Sequence, residues 1–346
     1  MAQSAIASPA PSVTDLLARV KPRPIEGISA LLLPYREDGQ PDLEAFAAHL
    51  ERTVAAGLKP SVNMDTGYVN LLTADERQRV LRVTAEVMRG RPFVAGAFVE
   101  GGSGPSTGAG PSTSSGLAGG SEGSADELVA LYCREAERVR QYGGTPIIFQ
   151  CSALKALPDA EVVEVYRAVA ERMGEIIGFE LGEMFAPFGW IYPLEVFAEL
   201  IQIPGLVGMK HSSLDRAAEW ERLALRDRVR PEFKLYTGND LGIDMVMYGS
   251  DYLLGLSTFA PEAFGLRDRY WAAGDARFCA LNDALQYLGA FAFRPPVPGY
   301  KHSAAQFLQL RGRIPTAAAH PASPRRPESD VPILREIAER IEALTS

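Results

Sequence analysis

The chain is poor in the residues that most often bind metals or form disulfides, with four histidines and three cysteines among its 346 residues. The cysteines lack the close spacing of a zinc site and lie in apolar runs. We therefore expect buried thiols in a reducing compartment rather than disulfides. The three positions are Cys133, Cys151 and Cys279.

Blocks of positive charge and long apolar runs are also missing. The net charge of -8 and the pI near 5.3 argue against nucleic acid or an anionic membrane surface as a partner. No window reaches the roughly 18 apolar residues of a membrane span, and residues 1–24 lack the features of a signal peptide. The sequence predicts a cytoplasmic protein whose partner is a small molecule, with no nucleic acid and no membrane involved.

Short apolar runs alternate with stretches of helical period from Gly27 to Phe264. This alternation is typical of repeated βα units around a parallel sheet. Eight such units in about 245 residues are the size of a (β/α)8 barrel, the TIM barrel of the α/β class. The predicted strands cover 27–33, 60–64, 92–99, 146–150, 175–181, a sixth that carries Lys210, 233–236 and 252–256.

Around this barrel (27–272) we predict an N-terminal extension (1–26) and a C-terminal helical region (273–346). The C-terminal region contains about three helices separated by proline-rich segments, and it is expected to pack on the barrel or on a neighbouring subunit. Its aromatic residues suit a subunit interface, but they could equally anchor the final helices to the barrel. These are Phe291, Phe293 and Phe307.

Residues 101–124 are almost wholly Gly, Ser, Thr, Pro and Ala, with Gly-Pro-Ser-Thr occurring twice. This composition predicts a flexible insertion. Its place after the third strand puts it on the face of the βα loops, where a long loop could act as a lid. The scarcity of apolar and charged residues favours an insertion without that role.

An apolar run at 205–210 ends in Lys210, and polar loop residues follow at once. An amine in such a place loses hydration, which favours its neutral form, and only the neutral amine can attack a carbonyl to form an imine. The alternative is a strand-end lysine that reaches into solvent. If Lys210 points into the barrel, the alternation of side chains turns His211 towards the helices.

A Thr-Gly turn at 66–67, the pattern Leu-Thr-x-x-Glu-Arg at 72–77 and the Gly-Met-Lys-His-Ser-Ser run at 208–213 resemble the dihydrodipicolinate synthase / N-acetylneuraminate lyase family. The resemblance covers about 27–310. It implies a class I aldolase barrel in which Lys210 forms a Schiff base with pyruvate or another 2-oxo acid. The reaction then makes or breaks a carbon-carbon bond or dehydrates a sugar acid. It further implies no cofactor beyond the covalent imine, and a homo-oligomer, either a dimer or a tetramer.

The resemblance also implies a set of substrate-binding residues. Thr66 and Gly67 match the turn that holds the carboxylate of the 2-oxo acid, a task that N-H groups and a hydroxyl can perform without an arginine. Asp65 replaces the first threonine of that turn, so an acid lies where an anion should bind. Leu254 and Gly255 match positions on the eighth strand that line the pocket.

The main departure is at Phe179, where the family has a tyrosine whose hydroxyl relays protons to and from the substrate. The tyrosine pair after strand 4 is replaced near Ala153 and Leu154, and the arginine that binds the synthase's second substrate is replaced near Met184. These changes argue against true dihydrodipicolinate synthase activity.

Another group must then transfer protons, and the candidates are Tyr68, Tyr236 and Glu180. Side-chain alternation turns Phe179 inward and Glu180 outward, unless the strand bends at Gly182.

Three functions follow from these residues. The first is a Schiff-base lyase, aldolase or dehydratase. The second is a barrel that has lost lyase chemistry and binds a small 2-oxo or sugar acid. The third is a metal-dependent enzyme of the aldolase type, although the few histidines argue against it and we predict no metal site. Its ligands would be Asp65, Glu180, Glu183 and Asp240.

Overall fold

The computed structural model of the protein describes residues 12–100 and 125–346. The insertion predicted at 101–124 lies outside the described residues, as do residues 1–11 of the predicted N-terminal extension. Eight parallel strands follow one another around a closed barrel, and the first pairs with both the second and the eighth. The strands are β1 (Gly27–Ala30), β2 (Lys59–Val62), β3 (Val94–Ala97), β4 (Thr145–Ile148), β5 (Ile176–Leu181), β6 (Leu206–Ser212), β7 (Lys234–Thr237) and β8 (Asp251–Leu254).

Helices surround this barrel, and the predicted fold class is confirmed. The helices up to the end of the barrel are α1 (Val13–Arg19), α2 (Leu43–Ala55), α3 (Ala74–Met88), α4 (Ala125–Gln141), α5 (Ser152–Lys155), α6 (Asp159–Met173), α7 (Leu194–Leu200), α8 (Arg216–Val229) and α9 (Pro261–Ala272). The C-terminal helices are α10 (Arg277–Ala292), α11 (Tyr300–Leu310) and α12 (Asp330–Thr345). Within the described ranges, no helix is long and apolar enough to cross a membrane.

Local signals fix several helix starts. Thr73 and Glu76 form a reciprocal capping box at the start of α3, as the sequence predicts. Pro261 occupies the first turn of α9, where the missing N-H costs nothing.

Six of the strands are shorter than predicted, whereas β7 has the predicted length. β1 ends at Ala30 rather than at residue 33, because the N-H of Leu32 donates to the side chain of Thr258 (2.9 Å) instead of to a neighbouring strand. After β7, a 3-10 helix covers Ile243–Tyr248.

The aromatic residues of the C-terminal region serve mainly as anchors. Phe293 and Phe307 are buried within the chain, and Phe291 is half-buried against the same core. The side chain of Arg326 donates to the carbonyls of Ala292 and Pro296, which ties the last segment to α10. These contacts hold α11 over the barrel, close to the end of β8.

The cysteine prediction is wrong in part. Cys151 is buried as expected, but Cys133 is half-buried and Cys279 is exposed on α10. All three are free thiols.

Candidate active site

The side chain of Lys210 points into the barrel near the carboxyl end of β6. Its Nζ lies 4.4 Å from the centre of the Phe179 ring, which occupies the paired position on β5. The neighbouring His211 points outward, and its Nδ1 lies 2.7 Å from Oε2 of Glu180. The inward and outward faces of both strands are therefore those that the alternation of the sequence predicts.

Burial controls the charge of the Lys210 amine. The residue is only 7% exposed, and loss of water lowers its pKa from 10.5 to about 8, although the carboxylates of Asp240 and Asp65 oppose the shift. Within residues 12–100 and 125–346, no oxygen accepts a hydrogen bond from Nζ. The site thus holds an unpaired amine that is partly neutral near pH 8.

Asp240 lies in the loop after β7 and faces the same space. It is buried, and it accepts a hydrogen bond from the N-H of Leu256 (2.7 Å). Burial raises its pKa to about 7, against the attraction of the Lys210 ammonium. Gly238, in the same loop, allows close approach, because a Cβ there would lie 2.8 Å from Cε of Lys210.

A second polar cluster lies at the end of β2. Asp65 and Thr66 belong to a 3-10 turn at Asp65–Gly67, and both are buried. The Oη of Tyr300 lies 2.9 Å from Oδ2 of Asp65 and 2.9 Å from Oγ1 of Thr66. The Nζ of Lys301 donates to Oδ1 of Asp65 at 2.8 Å. The acid in the predicted anion-binding turn is therefore paired with a buried cation.

Sequence reasoning missed Tyr300 and Lys301, which begin α11 far along the chain. Lys301 is 3% exposed and lies in a helix made largely of buried residues. A buried lysine requires a partner, so it was a signal that some acid must face this helix. Nothing in the spacing of the sequence pointed to Asp65.

The two glycines of the predicted substrate site have structural roles. The N-H of Gly67 donates to the carbonyl of Met64 (3.0 Å), so this N-H closes its own turn and cannot also hold a ligand. At Gly255, a Cβ would lie 3.1 Å from Oγ1 of Thr66 and 3.2 Å from the Tyr300 ring. Gly255 therefore lets α11 approach the turn, while Leu254 is fully buried beside it.

No family model matches the chain. A Streptomyces avermitilis protein named probable 5-dehydro-4-deoxyglucarate dehydratase 2 is 29% identical over 302 residues, which cover 83% of this chain and 78% of that protein. A 4-hydroxy-tetrahydrodipicolinate synthase of Hyphomonas neptunium is 25% identical over 311 residues, covering 86% and 93%. YagE of E. coli K12, a prophage protein of the dihydrodipicolinic acid synthase family solved in complex with pyruvate, shares the fold. Its TM-score is 0.74 at 16% identity, over 92% of this chain and 98% of that one.

In sequence and fold the chain is therefore similar, at low identity, to proteins of the dihydrodipicolinate synthase family.

Two of the three residues predicted to transfer protons lie away from Lys210. Glu180 faces the helices, where the guanidinium of Arg222 donates to both its carboxylate oxygens at 2.8 and 2.6 Å. The hydroxyl of Tyr236 donates to Glu26 (3.2 Å), which precedes β1 at the amino end of the barrel. Glu180 therefore points away from the barrel interior and the Tyr236 hydroxyl lies at the opposite end of the barrel, so neither is placed to exchange protons with a ligand at Lys210.

The third candidate, Tyr68, lies beside the polar cluster at the end of β2. It is fully buried next to the Asp65–Gly67 turn, and its ring packs edge-on against that of Tyr35. The Nζ of Lys301 lies 5.6 Å from the centre of the Tyr68 ring. Tyr68 therefore borders the second cluster with its ring face.

The four carboxylates considered as metal ligands are not gathered. Glu180 is held by Arg222, and the Glu183 side chain is 70% exposed in an ion pair with Lys155. The described part of the chain contains no group of three or more His, Cys, Asp or Glu side chains suited to a metal ion.

Proposed function

We propose that the protein is a Schiff-base-forming lyase that acts on pyruvate or another 2-oxo acid through Lys210. The reaction makes or breaks a carbon-carbon bond or eliminates water from the substrate. The observation that carries this proposal is the buried Lys210 amine at the carboxyl end of β6, which has a lowered pKa and faces the barrel interior. In barrels of this architecture, the carboxyl ends of the strands carry the active site.

The chemistry follows from the neutral amine. Its lone pair attacks the C2 carbonyl of the 2-oxo acid, and loss of water from the adduct leaves a carbon-nitrogen double bond. The protonated imine nitrogen withdraws electrons, which stabilises a carbanion at C3. A single lysine can therefore serve condensation, retro-aldol cleavage and dehydration.

The turn at the end of β2 suits the carboxylate of such an acid. Oγ1 of Thr66 accepts a hydrogen bond from Tyr300, which leaves its own O-H to donate to a ligand, and the positive charge of Lys301 offsets the negative charge of Asp65. The acid that the sequence placed in an anion-binding turn is therefore compatible with an anionic ligand.

The relatives support the same class of chemistry. One is named a dehydratase and the other a synthase of the family, and both align over most of this chain. Because Phe179 and Met184 replace the tyrosine and the arginine that the synthase uses, we do not assign the synthase reaction to this protein.

The decisive test is chemical trapping of the imine. The protein is treated with sodium borohydride in the presence of pyruvate, 2-oxobutyrate or 2-oxoglutarate, and the mass added is located by peptide mapping. We expect an adduct on Lys210 that Lys210→Met abolishes. Lys21→Met, which removes an exposed lysine, is the matched control and should leave the adduct unchanged. The absence of an adduct with every acid, or an adduct that persists in Lys210→Met, would contradict the proposal.

We also propose that the protein is a homo-oligomer, a dimer or a tetramer. Tyr287 on α10 is 49% exposed and Ile333 on α12 is 36% exposed, which leaves apolar surface on the C-terminal helices. Light scattering should give a multiple of the 37.5 kDa chain mass, and Tyr287→Lys should reduce it. A monomer at all concentrations would contradict this assignment.

A further inference from the structure

We propose that Tyr300 is the hydroxyl that transfers protons to and from the imine at Lys210, with Asp65 as its proton acceptor and Lys301 as the residue that positions Asp65. This inference rests on the proposed Schiff-base chemistry. It replaces the three candidates drawn from the sequence with a residue of the C-terminal helical region.

The need for such a group arises at Phe179. A phenyl ring offers no proton, and the β5 position paired with Lys210 is thereby excluded from acid-base chemistry. The hydroxyl that transfers the proton must therefore come from another part of the fold. The hydroxyl of Tyr300 meets the turn at the end of β2, which is the turn proposed to hold the substrate carboxylate.

The position of this phenol is fixed by its surroundings. The Tyr300 ring stacks on Phe293 with centroids 4.2 Å apart and planes inclined by 16°. The missing side chain of Gly255 gives the ring its room. A rigid, buried hydroxyl is the kind of group that proton transfer to a bound carbon requires, because the acceptor must be held within hydrogen-bond reach.

The phenol and the amine face the same acids. Asp240 accepts a hydrogen bond from the N-H of Leu256, and at the adjacent Gly255 a Cβ would lie 3.1 Å from Oγ1 of Thr66 and 3.2 Å from the Tyr300 ring. Burial lowers the pKa of Lys210 and raises the pKa of Tyr300, and the carboxylates of Asp65 and Asp240 raise both. The two clusters described above are therefore two sides of one site.

The two carboxylate oxygens of Asp65 have different partners. One carboxylate oxygen receives the ammonium of Lys301 and the other receives the phenol of Tyr300, at 2.8 and 2.9 Å. The ion pair fixes the carboxylate and balances its charge, since a buried carboxylate without a partner is costly. The second oxygen remains a proton acceptor for the phenol.

The transfer then follows the existing hydrogen bond. The C3-H bond of the imine breaks, its electron pair forms a C2-C3 double bond, and the π pair of the carbon-nitrogen bond returns to Nζ of Lys210. The proton from C3 bonds to Oη of Tyr300, while the phenol proton passes to Oδ2 of Asp65. Reversal of these steps returns a proton to C3, so no other reactant is needed.

Hydrogen-deuterium exchange at the methyl group of pyruvate tests this role. Exchange in D2O is followed by proton NMR, and the imine is measured in parallel by borohydride trapping. In Tyr300→Phe we expect the Lys210 adduct to persist while exchange slows by about 10² to 10⁴-fold, the usual contribution of a positioned acid-base group. Tyr270→Phe is the matched control, since it removes a hydroxyl from a half-buried ring on α9.

Asp65→Asn is the second variant, because it preserves the size of the side chain at the other end of the hydrogen bond. It should also slow exchange and retain the adduct, a separation that a purely structural defect would not produce. Equal exchange in wild type and Tyr300→Phe, with the adduct present in both, would overturn the role of Tyr300 alone. The absence of a wild-type adduct would overturn the chemistry of Lys210 and this inference with it.

Discussion

The ammonium nitrogen of Lys210 lies 4.4 Å from the centre of the Phe179 ring, in the buried interior of the barrel. The ring face carries partial negative charge, so it attracts the protonated amine. Burial has the opposite effect and favours the neutral amine. The charge of the lysine is therefore set by a balance between lost hydration and an aromatic face.

This balance predicts the pH at which Lys210 becomes a nucleophile. The rate of imine formation with pyruvate should rise as the pH passes through about 8 and level off above it, because the neutral amine then predominates. An unperturbed lysine would still gain reactivity up to pH 10.5. The rate is measured by timed borohydride quenching between pH 6 and 11, and a rise centred near 10.5 would contradict the buried amine.

Replacing Phe179 by leucine tests how strongly the aromatic ring stabilises the protonated form of Lys210. Removal of the ring face should move the midpoint of imine formation to lower pH, by roughly 0.4–1.5 units, since a cation-π contact is worth roughly 0.5–2 kcal/mol. The same quenched reaction measures the shift. Phe98→Leu is the control. Phe98 directly follows β3 and packs against Phe149, and its replacement should leave the midpoint of imine formation unchanged.

Gly238 provides the space that Lys210 occupies. In Gly238→Ala the new Cβ would lie 1.9 Å from Oγ of Ser212 and 2.8 Å from Cε of Lys210, so both side chains must move. We expect a loss of roughly 1–3 kcal/mol in the free energy of unfolding, the usual cost of overpacking. The yield of the trapped Lys210 adduct should fall as well. Urea unfolding and adduct yield are the two measurements.

Removal of the Ser212 oxygen should relieve this overlap. In the described residues that oxygen is buried without a hydrogen-bond partner, so Ser212→Ala alone should be tolerated. The double variant should recover part of the lost stability, because the closest overlap is then removed and the new methyl group meets the flexible end of Lys210 at 2.8 Å and the carbonyl oxygen of His211 at 3.1 Å. Wild-type stability and adduct yield in Gly238→Ala would contradict the close packing of Gly238 against Ser212 and Lys210.

Glu180 should matter for stability and not for the reaction. Burial would raise its pKa, but Arg222 and His211 outweigh burial and hold the pKa at about 2. Glu180→Gln leaves the Arg222 cation buried without a counter-ion, which should cost roughly 3–5 kcal/mol in the free energy of unfolding. Glu183→Gln, on an exposed carboxylate, is the control and should change stability little.

The lowered pKa of Glu180 also predicts that the protein loses stability at acidic pH. Its pKa is lower in the folded protein than the usual 4.5, so the folded state binds this proton less tightly than the unfolded state. The stabilisation is present above pH 4.5 and is lost as the pH falls towards about 2. Glu180→Gln should flatten this part of the curve, and its folded fraction should still form the Lys210 adduct. Loss of the adduct from folded protein would contradict the outward position of Glu180.

Tyr236 offers a direct comparison with Tyr300. Its hydroxyl binds Glu26 at the amino end of the barrel, so Tyr236→Phe should leave both the adduct and the exchange of pyruvate protons within about twofold of wild type. Loss of this one hydrogen bond should cost about 0.5–1.5 kcal/mol in stability. Slowed exchange in Tyr236→Phe would contradict its placement.

Much of the fold could be predicted because barrel strands and helices leave strong local patterns. Alternation along β5 and β6 gave the inward positions of Phe179 and Lys210. Alternation gives the face of a strand but not the direction in which a long side chain leans along it. Tyr236 pairs with Lys210 across the two strands, yet its ring reaches towards the amino end.

The second cluster could not be predicted from local pattern. The ion pair of Asp65 and Lys301 spans 236 positions, and no periodicity links residues so far apart. What the sequence did contain was a contradiction, an acid in a turn expected to hold an anion. A buried acid requires a partner, and the structure supplies Lys301.

The dependence of Asp65 on α11 has a consequence for the order in which the site is built. Chains emerge from the ribosome with the N-terminal part first, so the strands of the barrel are synthesised before residue 300 appears. Until Tyr300 and Lys301 arrive, the acid at the end of β2 lacks both of its partners. The reactive lysine is thus made well before its proton-handling neighbours, and the nascent barrel stays chemically incomplete until the final helices dock.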